Sequence, residues 1–490
     1  DSISGAAVCA WDALNQVTIT PGVTTVAASA FRCDNMTKLV IKDSDEPLYF
    51  SGNATPPFWA PLEDIYFGRK LKMTTDSYGD GRIVPDMFSF KTLKTVEFGE
   101  AVDTIPPYMF SSYKGEMTVK APAVTHIGDY AFSSSVSTPV ISVDVPKLKS
   151  IGRNAFKNTN ITSFNFYHVE TIGTEAFSGA ALTEVTLPPT VTTIGLAAFN
   201  SLTSLDKITI QDGDTPLELG YCKEYDYEGS KTRCYGWEWL YGSTPEEIYI
   251  GRPLVHEAVI EDGESPSMGD KGYKDASDFS SCGNRLRKVT LTRWTMLPSG
   301  AFSSCTLLEE VSVPQLTEMA NNLFSGCTSL KTIDAPLVTK IWSDALYYTG
   351  LETYTVAGNV EYLATNMFHK STALKTLAFA YDETPLDIPA YYEYREVAQY
   401  APAVETLHID RDVKSDDGKK ALIRSYYRTS SSEYGFPALK TLEIGENVRS
   451  LNGWKIECES IETVKCLSPE PVILEASNAQ SSSARRAPDD

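Results

Sequence analysis

The stretch VTITPGVTTVAASAF at 17–31 returns as VTLPPTVTTIGLAAF at 185–199 and as YTVAGNVEYLATNMF at 354–368. The copies are equal in length, start 168 and 169 residues apart, and keep most of their apolar positions. A single globular core gives no reason to repeat a phrase at fixed intervals. A stack of like units does, because each unit must present the same faces to its neighbours.

A shorter period lies inside the longer one. An aliphatic residue five before an aromatic or leucine, most often I-G-x-x-A-F, appears as IPPYMF (105–110), IGDYAF (127–132), IGRNAF (151–156), IGTEAF (172–177) and IGLAAF (194–199). It resumes as LPSGAF (297–302), MANNLF (319–324), IWSDAL (341–346) and LATNMF (363–368), in steps of 22. Between these marks stands L-x-x-V-x-[LIV], as in LTEVTL (182–187), LEEVSV (308–313), LKTLAF (374–379) and LKTLEI (439–444). Alternation over three to five residues predicts a short strand with one buried face. The Ile and the Ala-Phe pair are expected to face inward on the return limb, with Gly at a turn that needs backbone freedom. One such coil cannot bury its own apolar side, but stacked coils cover one another, and successive strands must then run parallel.

The longer period marks irregular coils. IKDSDEPLYF, IQDGDTPLEL and FAYDETPLDI begin at 41, 210 and 379, and the tags IYFGR (65–69), IYIGR (248–252) and LHIDR (407–411) follow them. A module is therefore several plain coils, a TPL coil, an insert, a tag coil and a further insert. The expected layout is a cap at 1–16, a solenoid over 17–474 in modules 17–184, 185–353 and 354–474, and a disordered tail at 475–490. A chain of 490 residues would ordinarily hold about three domains, but here they merge into one stack.

These motifs resemble the BspA-like leucine-rich repeats of bacterial surface proteins, notably in Bacteroidetes, over about 17–474. The resemblance implies an α/β-type repeat solenoid: a right-handed leucine-rich-repeat coil stack of about eighteen coils with one continuous parallel β-sheet, mostly β and loop with short helical turns. It also implies secretion or surface display and adhesion to host proteins, other bacterial surface proteins or glycans. The family is defined by its scaffold, so it carries no ligand residues across. The long inserts near 220–242, 252–281 and 389–435 depart from the plain pattern and are where a particular role would lie.

Charge and motif content narrow the function. The net charge of −21 disfavours nucleic acid and anionic membrane as partners. No run reaches the roughly 18 apolar residues of a spanning helix. Asp1 follows no Met and no leader, which reads as a trimmed product, with any lipid anchor lying upstream. His126, His168, His256, His369 and His408 share no motif, and no nucleophile has a base near it in sequence. The chain reads as non-catalytic, without cofactor or metal; the acidic stretch 256–278 lacks calcium-loop spacing and reads as a solvated loop. Of nine cysteines, Cys33, Cys282, Cys305 and Cys327 occupy related coil places and read as small buried fillers, while Cys222 and Cys234 bracket one insert and could pair.

The functional hint is aromatic. YCKEYDYEGSKTRCYGWEWLYG (221–242) and YYEYREVAQY (391–400) make Tyr225, Tyr227, Tyr235, Trp237, Trp239, Tyr391, Tyr392 and Tyr394 the candidate ligand-binding residues. Tyr and Trp give rigid contact area with a polar tip. Two readings stay open: the rings anchor a partner, or they pack against the stack, as Phe58 and Trp59 would at the matching place in the first module. Tyr225 and Tyr227 alternate with charged residues and read as an exposed hairpin. A second surface is the polar row down the strand centres: Glu97, Thr118, Asp144, Asn165, Thr186, Thr209, Thr290, Ser312, Asp334 and Thr355. The reading is an adhesin-like binding protein; the alternative is a structural spacer of the cell envelope without a soluble ligand.

Overall fold

The L-x-x-V-x-[LIV] marks form short parallel strands in a computed structural model of the chain. The structure describes residues 1–4, 8–9, 11, 13–27, 29–51, 58–74, 92–134, 141–219, 225–227, 230–232, 238–256, 279, 285–364, 366–389, 394–396, 401–414, 419–425, 427–428, 433–448, 451 and 453–469. The tail expected at 475–490 lies outside them. Two compact units are present, 1–294 with 310–313, and 295–309 with 314–490.

In the first unit the front strands Gln16–Ile19, Lys38–Ile41, Asp64–Phe67, Thr95–Phe98, Met117–Lys120 and Ile141–Asp144 pair in parallel. A further run joins Glu184–Leu187, Lys207–Ile210, Glu247–Ile250, Lys288–Leu291 and Glu310–Ser312. Burial alternates along each, as in Leu39 and Ile41 or Val185 and Leu187, which sit in the core. The expected continuous row is interrupted at 160–166, which is not a strand. That coil carries Phe164 and Phe166, whose rings fit edge-on against Phe177 at 5.2 and 5.4 Å. Its contact with the next coil runs through the Thr183 N–H donated to Thr162 O. The second unit has its own front run: Thr353–Val356, Thr376–Phe379, Thr406–Ile409, Thr441–Ile444 and Thr463–Cys466.

The return limb forms ladders as well. Thr104–Ile105, His126–Ile127, Ser150–Ile151, Thr171–Ile172, Thr193–Ile194, Leu217–Leu219 and Leu254–His256 make a seven-stranded parallel sheet. In place of the expected helical turns, most return coils carry left-handed residues four apart: Tyr108 and Ser112, Asn154 and Asn158, Glu175 and Gly179, Ala197 and Ser201. Helix among the described residues is confined to 3-10 turns such as Glu238–Leu240. The glycines of I-G-x-x-A-F serve close approach, not freedom. A Cβ on Gly195 would stand 2.3 Å from the Thr174 nitrogen of the preceding coil. Gly195→Ala should therefore cost more than about 1 kcal/mol in denaturant unfolding.

Between the two limbs the rings stack as the sequence predicts. Phe110, Phe132, Phe156, Phe177 and Phe199 follow at 5.2, 5.0, 5.1 and 5.6 Å, their rings nearly parallel. Phe302 and Phe324 repeat the contact in the second unit at 5.6 Å. Cys33, Cys305 and Cys327 are buried, fillers as expected. Cys222, Cys234 and Cys282 lie outside the described residues.

The recurring phrase is explained by the arginine of the tag. Arg252 is wholly buried and donates to the carbonyls of Pro189 (3.1 Å), Pro188 (3.3 Å) and Val191 (2.6 Å). Arg69 does the same to Pro21, Thr20 and Val23 at 3.3, 3.2 and 2.7 Å. Arg411 reaches Val360 O at 2.7 Å and Thr384 O at 2.7 and 2.9 Å. Val23, Val191 and Val360 are the seventh residues of the three phrases. Each phrase thus supplies at least one inward carbonyl that a guanidinium fork, entering from a later coil, satisfies.

The first two tags carry a second shared bond. Tyr66 donates to Asp43 (2.7 Å) and Tyr249 to Asp212 (2.8 and 2.9 Å). Burial, then the bond to Asp43, pushes the Tyr66 phenol from 10.0 up to about 12. The folded state favours the protonated phenol, so its contribution is full below pH 10 and is lost as pH climbs toward 12. The stability gap between wild type and Tyr66→Phe should be constant at neutral pH and close over that alkaline window.

Candidate functional site

The front face combines two columns of outward side chains. The second column runs Tyr66, Glu97, Lys120, Asp144 in the first run, then Thr186, Thr209, Tyr249, Thr290, Ser312. Lys120, not Thr118, aligns with Glu97 and Asp144; Thr118 sits in the first column beside Thr95 and Ser142. A two-residue slip keeps the same face outward, so the alternation alone cannot fix the column. Asn165 falls in the 160–166 interruption, where its side chain accepts the Tyr167 N–H at 3.0 Å. Asp334 and Thr355 lie on strands Thr332–Asp334 and Thr353–Val356.

The first column is chemically distinct in each unit. Glu184, Lys207, Glu247, Lys288 and Glu310 stand side by side with alternating sign. Lys207 pairs Glu247 at 2.9 Å and Lys288 pairs Glu310 at 2.8 Å. These ions are about half exposed, so each pair adds little stability, but the alternation penalises a slipped register. In the second unit the same column is Thr353, Thr376, Thr406, Thr441 and Thr463. The face is polar and nearly self-neutralised.

The inserts break the parallel rule. Tyr225–Tyr227 pairs antiparallel with Ser230–Thr232, Tyr225 opposite Thr232 and Tyr227 opposite Ser230. The hairpin expected from the alternation of Tyr with charge is therefore present. A second one, Tyr427–Arg428 with Glu433–Tyr434, sets Tyr427 against Tyr434. Its signal is YYRTSSSEYG at 426–435, a polar turn between two tyrosine-bearing ends. Tyr394 lies on the strand Tyr394–Glu396, parallel to Lys420–Arg424. Tyr235, Trp237, Tyr391 and Tyr392 lie outside the described residues, as does 257–278 of the acidic stretch.

Trp239 belongs to the core. Its side chain is 1% exposed and meets Phe199 edge-on at 6.2 Å. Phe58 stacks on Phe31 at 5.0 Å in the first unit. Phe31 and Phe199 end the first two copies of the phrase, so Phe58 and Trp239 fill equivalent places. The segment behind the hairpin is pinned to the stack. Phe199 and Ser201 donate their N–H groups to Trp239 O (2.8 Å) and Tyr241 O (2.9 Å). The buried Ser243 hydroxyl donates to Phe199 O (2.6 Å) and accepts from the Leu202 N–H (2.7 Å). The hairpin thus leaves the scaffold after Leu217–Leu219 and returns to an anchored base.

The sequence profile of the BspA type leucine rich repeat region matches residues 149–220 and 275–390, with six copies. Residues 149–220 and 275–390 are built of BspA-type leucine-rich repeats. Among solved structures, a leucine rich cell surface protein from Faecalibacterium prausnitzii is 19% identical, with 70% of this chain and 93% of that one aligned and a TM-score of 0.25. A leucine-rich repeat protein from Bacteroides ovatus is 14% identical over 92% of each chain, with a TM-score of 0.30. The pneumococcal vaccine antigen PcpA is 15% identical over 77% of this chain and 89% of its own, with a TM-score of 0.29. No curated protein matches the chain significantly in sequence. The stretch between the two profile matches, 221–274, holds the tyrosine hairpin, the Trp239 base and the second tag. No helix among the described residues is long and apolar enough to cross a membrane.

Proposed function

We propose that this BspA-type repeat chain is a non-catalytic, extracellular or cell-surface binding protein that presents tyrosine-bearing hairpins on a stacked scaffold to proteins or glycans of host or bacterial surfaces. The observation that supports the reading is the hairpin 225–232, antiparallel within a parallel scaffold and carried on a base pinned by Trp239 and Ser243. A hairpin held this way adds an adaptable contact surface without unstacking the coils, and tyrosine is the side chain best suited to such contacts. The family resemblance supports surface display. The observation favouring the alternative, a structural spacer, is the burial of Trp239. That residue is set apart from the proposed contact surface, which comprises Tyr225, Tyr227 and the second hairpin.

The test is binding of the purified chain to an array of matrix proteins and glycans, beside a variant with 224–233 replaced by a short Gly-Ser linker. The replacement must stop short of Trp239 and Leu240, both buried. At least one hit lost in the variant is the expected result, with Tyr225→Ala/Tyr227→Ala reproducing most of the loss. A hit indifferent to the hairpin, or an array without hits, contradicts the proposal.

A further inference from the structure

The return-limb ladder of the second unit carries a side chain that breaks its own repeat. Strands Glu318–Met319, Lys340–Ile341 and Tyr362–Leu363 pair in parallel. The position after each ladder pair is small in most coils: Gly128, Gly152, Gly173 and Gly195 in the first unit, Ala320 and Ala364 in the second. At 342 it is tryptophan. A close-approach position that admits a large ring opens the coil edge and builds a wall on it.

That wall faces a hollow of about 240 Å³ lined by Met296, Leu297, Glu318, Ala320, Asn321 and Trp342. The indole is fixed. Its Nε1–H donates to Glu318 Oε2 at 3.0 Å, and its ring packs on Tyr362 at 4.9 Å. Lys340 Nζ holds the other carboxylate oxygen at 3.0 Å. The indole N–H, then Lys340, hold the Glu318 carboxyl below its usual range, so it is an acceptor at neutral pH. Each of its oxygens accepts one bond and keeps a lone pair for another. The hollow therefore offers an aromatic face, a sulfur-and-aliphatic side from Met296 and Leu297, a small floor at Ala320, and hydrogen-bonding groups at Glu318 and Asn321.

We infer that this hollow is a binding site for a single neutral sugar ring, its C–H face against Trp342 and its hydroxyls bonded to Glu318 and Asn321. Three observations select that class. The volume is below the roughly 300–1,000 Å³ of sites that enclose a drug-sized ligand, so one ring fits and a longer ligand must extend outside. The Glu318–Lys340 pair is already neutralised, which removes the attraction a cation or an anion would need. An apolar peptide side chain would cover the carboxylate and amide without giving them partners, at a desolvation cost that hydroxyl groups avoid. A rigid indole stacks on the apolar face of a ring at little entropic cost. The site lies wholly within the second unit and does not depend on the hairpin reading.

The test is saturation-transfer NMR on the full chain with the methyl glycosides of glucose, galactose, mannose and N-acetylglucosamine as probes. Transfer to the ring protons of at least one, with millimolar affinity, is expected. Trp342→Ala should weaken it at least tenfold, and Asn321→Ala, at an exposed position that folding tolerates, severalfold. Trp342→Phe should keep part of it, and the Tyr225→Ala/Tyr227→Ala chain all of it. No transfer from any probe, or transfer that Trp342→Ala and Asn321→Ala leave untouched, overturns the assignment. So does binding of peptides, but not of sugars, that is lost on Trp342→Ala.

Discussion

Replacing Arg252 with methionine should lower the unfolding free energy by about 3–5 kcal/mol, although Met fills much of the same space. Removing a buried ion can be neutral when its partners are replaced with it. Here the partners are the backbone carbonyls of Pro188, Pro189 and Val191, which no side-chain change can remove. Left without donors inside the fold, they carry a desolvation penalty of roughly 1–3 kcal/mol each. Arg252→Lys should rescue little. One ammonium cannot serve three acceptors as a fork does, and a desolvated lysine sheds its proton. Denaturant unfolding followed by circular dichroism measures both; equal midpoints for wild type and Arg252→Met would refute the clasp.

Phe177→Ala should be comparably severe. Phe177 is fully buried between Phe156 and Phe199, and the rings of Phe164 and Phe166 close on its edges at 5.2 and 5.4 Å. Four surrounding rings cannot all collapse into the gap, because two of them belong to neighbouring coils and are held by their own ladders. A Phe→Ala change in such a core costs about 3–5 kcal/mol. In a stack the loss should be local first, so hydrogen exchange should rise in the coils around 151–199 before the rest. An unchanged melting curve, with uniform exchange, would contradict the stacked core.

Much of this architecture was legible as letters. I-G-x-x-A-F gave the phenylalanine stack because a fixed register on identical coils leaves like residues in contact. The strand marks gave the front rows because alternation of period two is local. What failed was information carried by three-dimensional neighbours. The purpose of the tag arginine was hidden because its acceptors, backbone carbonyls 61–64 residues earlier, have no letter of their own. The glycines were read as free turns, yet what demands them is the backbone of the preceding coil. The helical turns were expected and replaced by paired left-handed residues, a conformation that Tyr108, Glu175 and Ala197 do not announce. At the candidate sites, the first hairpin was readable from Tyr225 and Tyr227 amid charges, whereas the placement of Trp239 needed the position of Phe199. Trp342 was visible as a tryptophan in a glycine position, an exception to a repeat that carries more information than the repeat itself.

Scaffold and displayed surface are separable in this protein, and thermal unfolding of the chain with 224–233 replaced by a Gly-Ser linker tests that separation directly. A melting temperature and circular dichroism spectrum equal to those of the wild type are predicted, because the anchoring contacts of Trp239, Tyr241 and Ser243 all lie beyond the excised loop. A fall of several degrees would contradict the account: the hairpin tyrosines would then be part of the packing, and the chain a spacer whose inserts serve its own stability.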